Sequence, residues 1–379
     1  MATWRGTELT TVTLRSARLI LRPWQAGDAA AVTAVMADPR MHSWLRLPKP
    51  YDLQAATTFV TATAPGKAAS GTGVDLAVVD RDDGRLIGAA GLHELADESP
   101  VVEIGYWTGV ADWHRGYATE ATRALTDFAF SRGAVRSQIR CHVDNIASAS
   151  VALASGYQFE GISRLSIPSS SGLADGASFG RLSTDPDLSI DPLWPPLGEL
   201  SDGVIVLRPA GPGDELVELA ETVNPAARFW ALSDVTLTPD EARRRAEHAR
   251  LRWLIGPQST LIICDATDGA GAGTITLRRS GPPDVVGIGY GVLPAFRGRQ
   301  FTSRALTLLA DWLFGHTTIH RLELGLKTGN TASARSAERA GFVHEGTYRQ
   351  RLRNVHPDAG GGYSDEERYA LIRPAPVLR

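Results

Sequence analysis

Two consecutive copies of an α/β domain, each a mixed sheet carrying helices, are the fold predicted for this chain of 379 residues. Three observations carry that expectation. Short sequence words recur at a nearly constant spacing. Segments of strand and helix character follow one another in the same order in each half. A proline-rich stretch separates the halves.

The repeat is the strongest of these, because a fixed period betrays duplicated units before any element is assigned. Leu21-Arg22-Pro23 returns as Leu207-Arg208-Pro209, 186 positions on, and Gly27-Asp28 returns as Gly213-Asp214. Ile104-Gly105-Tyr106 returns as Ile288-Gly289-Tyr290. Asn145, Ser148, Gly156 and Gly161 return as Asn330, Ser333, Gly341 and Gly346. The connector Ser183–Gly203 holds prolines at 186, 192, 195 and 196, which forbid a continuous helix. The expected domains are 1–194 and 195–379.

Within the first copy, Arg18–Trp24 reads as a strand. Gly27-Asp28 offers an N-cap to a helix that stops before Pro39. A second helix is expected over Asp52–Ala64. Val74–Asp80 and Arg85–His93 form a hairpin across Arg-Asp-Asp-Gly, and Val101–Val110 adds a third strand. Tyr117–Ser131 has apolar residues at helical spacing and Gly133 just past its end. A strand over Arg136–Val143, a short helix over Ile146–Ser155 and two further strands complete the unit. The second copy repeats this order.

Composition excludes several classes. The chain is 43% hydrophobic and 21% charged, a globular balance, with a net charge of −3 that gives no whole-chain attraction to nucleic acid. No apolar run reaches the ~18 residues of a membrane span, and the first residues lack the apolar core of a signal peptide. The two cysteines, Cys141 and Cys264, have no neighbours at ligand spacing, which argues against disulfides and a metal site. A soluble, cytoplasmic protein without a metal is expected.

The chemistry centres on the turn Trp113-His114-Arg115-Gly116 before the Tyr117 helix. A helix N-terminus presents unpaired N–H groups and a partial positive charge, so an arginine and a glycine there suit a pyrophosphate. A strand–glycine–helix turn also arises for geometry alone. The second copy reads Arg297-Gly298-Arg299-Gln300, with Gln300 opposite Gly116. If that position needs φ > 0, a residue other than glycine costs roughly 1–2 kcal/mol there.

In order, the turn, the helix, the next strand, Asn-x-x-Ser and Gly156-Tyr157 (Gly341-Phe342 in the second copy) resemble the GNAT acyltransferase superfamily. The family pattern is Arg/Gln-x-x-Gly-x-Gly/Ala, where this chain has Trp113-x-x-Gly116-x-Ala118 and Arg297-x-x-Gln300-x-Thr302. The resemblance covers both halves, with the Rim-type ribosomal-protein N-terminal acetyltransferases as the most similar branch. It implies acetyl-CoA or another acyl-CoA as co-substrate. The pyrophosphate would meet Arg115, Gly116, Tyr117, Ala118 and Thr119. In the second copy it would meet Arg297, Gly298, Arg299, Gln300, Phe301 and Thr302. Val110 and Val292 would end the strands along the pantetheine, and Asn145 and Asn330 would bind it or cap a helix.

The resemblance also implies an acid and a base. Glu103 stands where several family members carry a base glutamate, and it also reads as a solvent-facing strand residue; Gly287 takes its place in the second copy. Ser148 and Ser333 match a serine that protonates the leaving thiolate, or they cap a helix. The position of the family's acid tyrosine holds Ala152 and Ala337. Trp44, Trp107, Phe229 and Trp230 are candidates for an acceptor wall or for packing. The expected activity is acyl transfer to a primary amine, foremost the α-amine of a protein or peptide, a peptide natural product included. A small-molecule or antibiotic amine is the alternative, and a non-catalytic CoA-binding sensor or scaffold a third reading.

Overall fold

The computed structural model describes residues 8–45, 47–95, 100–169, 172–230, 236–279, 281–355 and 361–375. The chain divides into two compact units, Met1–Asp191 and Pro192–Arg379. Trp194, on the first side of the boundary read from the sequence, is fully buried in the core of the second unit beside Trp253. The prolines mark a connector, but the large apolar area of a tryptophan seats its end in the following domain.

The first unit runs α1 (Glu8–Thr11), β1 (Leu14–Arg15), β2 (Leu19–Arg22), α2 (Ala29–Met36) and α3 (Leu53–Thr58). A π-helical turn, Phe59–Thr63, leads to α4 (Ala64–Ala69), which carries the second helix past its expected end. Then come β3 (Val74–Asp80), β4 (Leu86–His93), β5 (Val101–Thr108), α5 (Tyr117–Ser131), β6 (Arg136–His142), α6 (Ile146–Ala154), β7 (Gln158–Ser169) and β8 (Gly172–Leu182). The second unit runs β9 (Leu200–Ser201), β10 (Ile205–Pro209), α7 (Glu215–Val223), α8 (Pro225–Trp230), α9 (Pro239–Glu247) and α10 (Ala249–Ile255). It continues with β11 (Gln258–Asp265), β12 (Gly271–Arg278), β13 (Val285–Val292), α11 (Phe301–His316), β14 (Arg321–Lys327), α12 (Thr331–Arg339), β15 (Val343–Arg353) and β16 (Tyr363–Ile372).

Among the described residues, each unit holds one sheet of eight strands, ordered β1-β2-β3-β4-β5-β6-β8-β7 and β9-β10-β11-β12-β13-β14-β16-β15. Neighbours are antiparallel except β5–β6 and β13–β14, which need the crossover helices α5 and α11. The α5 amphipathic face buries Ala121, Leu125 and Ala129, and α11 buries Leu306, Leu309 and Leu313 in the second core. The opposite sheet face of the first unit carries Trp24, Val32, Met36 and Val60 with Trp107 packed against them.

One strand end differs from the sequence expectation, while β13 ends at Val292 as read. β5 stops at Thr108, and Val110 begins a 3-10 turn, Val110–Asp112, packed on the first core. Val292 therefore corresponds to Thr108, not to Val110. The difference arises because Gly109 and Asp112 close a turn through an Asp112 N–H to Gly109 carbonyl bond of 2.9 Å.

Candidate active site

The parallel strands pair over three residues and then part. Val101, Val102 and Glu103 pair with Arg136, Ser137 and Gln138; Val285, Val286 and Gly287 pair with Arg321, Leu322 and Glu323. Among the described residues, β5 continues to Thr108 and β13 to Val292 without a strand partner on that side. A strand edge opened inside a sheet offers N–H and C=O groups to an extended polar ligand.

The open edge leads to the turn before α5 or α11. Gly116 is the N-cap of α5 at φ 78°, and Gln300 is the N-cap of α11 at φ 62°. Neither helix has a side-chain cap, so its first N–H groups face outward. The turn has a second left-handed residue two positions earlier, His114 at φ 60° and Gly298 at φ 77°. Each copy thus puts glycine at one of the two left-handed positions and an ordinary residue at the other. Gln300 is not an added strain; the glycine has changed place within the turn. The turn residues 114–116 and 298–300 are exposed in both copies.

The first residue of the motif also keeps its contact. The Trp113 indole N–H donates to the Thr108 carbonyl at 2.9 Å, and Arg297 Nε donates to the Val292 carbonyl at 3.3 Å. An indole thereby does the anchoring that a guanidinium does in the second copy. A brace behind the helix is charge-reversed: Arg18 binds Glu120 at 2.7 Å, while Asp202 binds Arg304 at 2.6 Å. Arg115 lies 3.8 Å from the buried Asp112, and Arg299 binds Asp265 at 2.6 Å. Tyr117 and Phe301 are buried under Arg18 and Arg299, while Ala118, Thr119 and Thr302 stay partly exposed along the first turn.

Asn145 and Asn330 cap α6 and α12, accepting from the N–H of Ser148 at 3.1 Å and of Ser333 at 3.2 Å. The serines are thus not the caps, and Ser148 keeps its hydroxyl for another partner. Its Oγ lies 3.0 Å from the Tyr106 hydroxyl, which also donates to the Ser148 carbonyl at 3.0 Å. Tyr290 donates to the Ser333 carbonyl at 3.2 Å. Burial pushes the Tyr106 phenol far up and Tyr290 to about 12, so both hold their protons. These tyrosines lie on the parted stretch and were missed as site residues. Their signal was the repeated Ile-Gly-Tyr. Ala152 and Ala337 are fully buried.

On the other face of β5 stand Glu103, Gly105 and Trp107. Burial raises the Glu103 carboxyl above its ordinary value, opposed by Arg140, whose Nε binds Oε2 at 2.5 Å. His93, opposite Glu103 in register, lies over Gly105, where a Cβ would stand 2.7 Å from its Nε2. Burial lowers the His93 imidazole below its ordinary value, with Asp75 opposing and Lys67 adding to the fall. Lys67 contacts its Nδ1 and binds Asp75 at 3.1 Å. Neither His93 nor Arg140 stands in a recognisable motif; register and folding bring them to Glu103.

Trp107 stacks on Trp24 with centroids 6.4 Å apart, and exposed Trp44 lies 5.6 Å from His142 at the end of β6. Phe229 and Trp230 meet edge to face at 4.8 Å, with the Phe229 carbonyl accepting from Lys327 at the end of β14. Aromatics therefore flank the mouth between the parted strands in each unit. Arg46 and residues 231–235 of these segments lie outside the described residues. Among the described residues, no group of three or more His, Cys, Asp or Glu could hold a metal ion, and no helix is long and apolar enough to cross a membrane.

The sequence profile of the acetyltransferase (GNAT) domain matches residues 18–158 and again 205–343. The uncharacterized N-acetyltransferase YoaA of Bacillus subtilis (strain 168) is 30% identical over 152 residues, 40% of this chain and 85% of that protein. Among solved structures, RimL, a ribosomal L7/L12 alpha-N-protein acetyltransferase in complex with coenzyme A, is 19% identical with a TM-score of 0.42. The match covers 45% of this chain and 98% of that one. The microcin C7 self-immunity acetyltransferase MccE, in complex with acetyl-CoA and AMP, is 17% identical with a TM-score of 0.41, covering 44% and 93%.

Proposed function

The chain belongs to the acetyltransferase (GNAT) family as two tandem domains, and from that premise we propose that it acetylates the N-terminal α-amine of a protein or peptide, using acetyl-CoA. N-acetyl transfer to an amine is the family activity. The observation that carries the donor assignment is the parted strand edge running into an uncapped helix N-terminus, present in both units. Pyrophosphate suits the N–H groups of residues 115–119 and 299–302, and the pantetheine amides suit the open edges of β5 and β13.

In the first unit the ammonium gives its proton to Glu103, directly or through a water, and the neutral nitrogen attacks the thioester carbonyl. The C–N bond forms and the C–S bond breaks; the Ser148 hydroxyl, backed by Tyr106, protonates the thiolate and is reprotonated by the surplus proton of the nitrogen. Burial strengthens Glu103 as a base, and Arg140 holds back part of that gain. Such modest assistance suits an α-amine, of which about one in ten is neutral at pH 7, better than a lysine, of which roughly one in 2500 is. The aromatics at the mouth offer apolar walls to the residue that follows the amine.

Thiol release and mass spectrometry over a panel of peptide α-amines, lysine side chains and small amines test this reading. Transfer to peptide α-amines, with Glu103→Gln and Ser148→Ala each slowing turnover, is the expected result. Transfer confined to small amines would sink the acceptor assignment. CoA binding without turnover on the whole panel would sink catalysis.

A further inference from the structure

The second unit has no carboxylate on β13. Beyond Val285, Gly287, Gly289 and Gly291 leave one face of that strand without side chains. Two residues from elsewhere cover it. A Cβ on Gly289 would stand 3.1 Å from the Arg278 guanidinium, and one on Gly291 would stand 2.9 Å from Glu221 Oε1. Arg278 holds the register position of His93, since Gly287 pairs with it as Glu103 pairs with His93. Gly291 holds the position of Trp107. Glu221 comes from α7, 186 positions after Val35, so an aliphatic and an aromatic side chain of the first unit give way to a carboxylate and an open strand.

A carboxylate is costly to bury unless its oxygens are bonded. Glu221 accepts from the Thr274 backbone N–H at 2.8 Å and from Thr274 Oγ1 at 2.7 Å. Even so, burial raises its pKa to about 6, with Glu218 adding to the rise. A carboxyl titrating there is ionised at pH 7 and a better proton acceptor than an ordinary glutamate. Its place matters equally. Gly291 lies on the part of β13 beyond the last pair with β14, where the strand edge is open.

We propose that Glu221 is the general base of a second acyl-transfer site, supplied by a helix in place of the strand carboxylate Glu103. The inference rests on the reading of the second unit as an acyl-CoA site. Glu221 takes a proton from the ammonium, and the neutral nitrogen attacks the thioester carbonyl. The C–N bond forms and the C–S bond breaks. The remaining surplus nitrogen proton passes to the thiolate, and Glu221 returns its own proton to solvent.

The test uses the full chain with Ala118→Asp, whose charge in the first turn repels pyrophosphate from the first unit. Calorimetry with CoA should then count one site per chain, and acetyl transfer should persist. Adding Glu221→Gln should lower kcat by roughly 100-fold or more, the scale of general-base catalysis, and abolish the acid limb near pH 6, with CoA affinity kept. Gln can retain both Thr274 bonds, with the hydroxyl reversed, so a purely structural Glu221 would lose little. Turnover within about threefold of the A118D parent would overturn the proposal, as would loss of all CoA binding in A118D. If Glu221→Gln disturbs folding, Thr274→Val decides. It removes a hydrogen bond that favours the carboxylate, so the acid limb must move upward, and an unmoved limb overturns the assignment. Absence of turnover in the unmodified protein, with CoA bound, would instead refute acyl transfer itself.

Discussion

Replacing Arg140 with alanine leaves Glu103 buried without the cation that favours its ionised form. The Nε–Oε2 distance is 2.5 Å. At that separation the attraction is about 1.7 kcal/mol even with the dielectric constant of water, and greater in a partly buried pair. A free-energy change of 1.36 kcal/mol corresponds to one pH unit in a titration, and arginine neighbours displace carboxylates by about one to three. The acid limb of kcat/KM, set by protonation of the base, should therefore move upward by about one pH unit or more. The measurement is a profile from pH 5 to 9 on a peptide α-amine, in the Glu221→Gln background to silence the second unit. The amine's own titration is common to both proteins and cancels in the comparison. CoA affinity should not change. A limb that stays in place after Arg140→Ala would refute Glu103 as the titrating base, whatever happens to the absolute rate.

Three other outcomes are expected. Glu221 takes up its proton more readily in the folded chain than in the unfolded one. Its contribution to stability is therefore full below pH 4.5 and is lost as pH rises through about 6. Urea unfolding should show Glu221→Gln gaining about 2 kcal/mol over the unmodified chain at pH 8 relative to pH 4.5, and an equal difference at both would refute the shift. Gln300→Gly should leave CoA affinity within about twofold and raise stability by less than about 1 kcal/mol, strain relief offset by glycine entropy. Tenfold tighter CoA binding would instead mark Gln300 as a lesion. Trp113→Phe, losing the bond to the Thr108 carbonyl, should raise the KM for acetyl-CoA several-fold, and Trp113→Arg should restore it; an unaffected Phe variant would refute the anchoring role.

Much was legible in the residues because it is local. The helix Tyr117–Ser131 and the strand Val74–Asp80 stand at the bounds read from periodicity. The repeat aligned the two turns, and Asn145 and Asn330 were open to a capping role that side-chain geometry fills. The end of β5 escaped because a valine two residues past the strand looks no different from a strand residue. The backbone turn at Gly109 decides it.

What the sequence determined by itself is the duplication, the order of elements in each copy and the position of the turn that opens α5 and α11, since each follows from short-range pattern and spacing. Only the tertiary structure decided whether the second turn is damaged. Backbone angles at 114, 116, 298 and 300 answer to the surrounding fold, and they show glycine and an ordinary residue exchanging places. Only the tertiary structure, likewise, brought Tyr106 to Ser148, Arg140 to Glu103 and Glu221 to Gly291. Those partners lie 37 to 70 residues apart in the chain, and packing of helices on the sheet, not any local pattern, sets the distance between them.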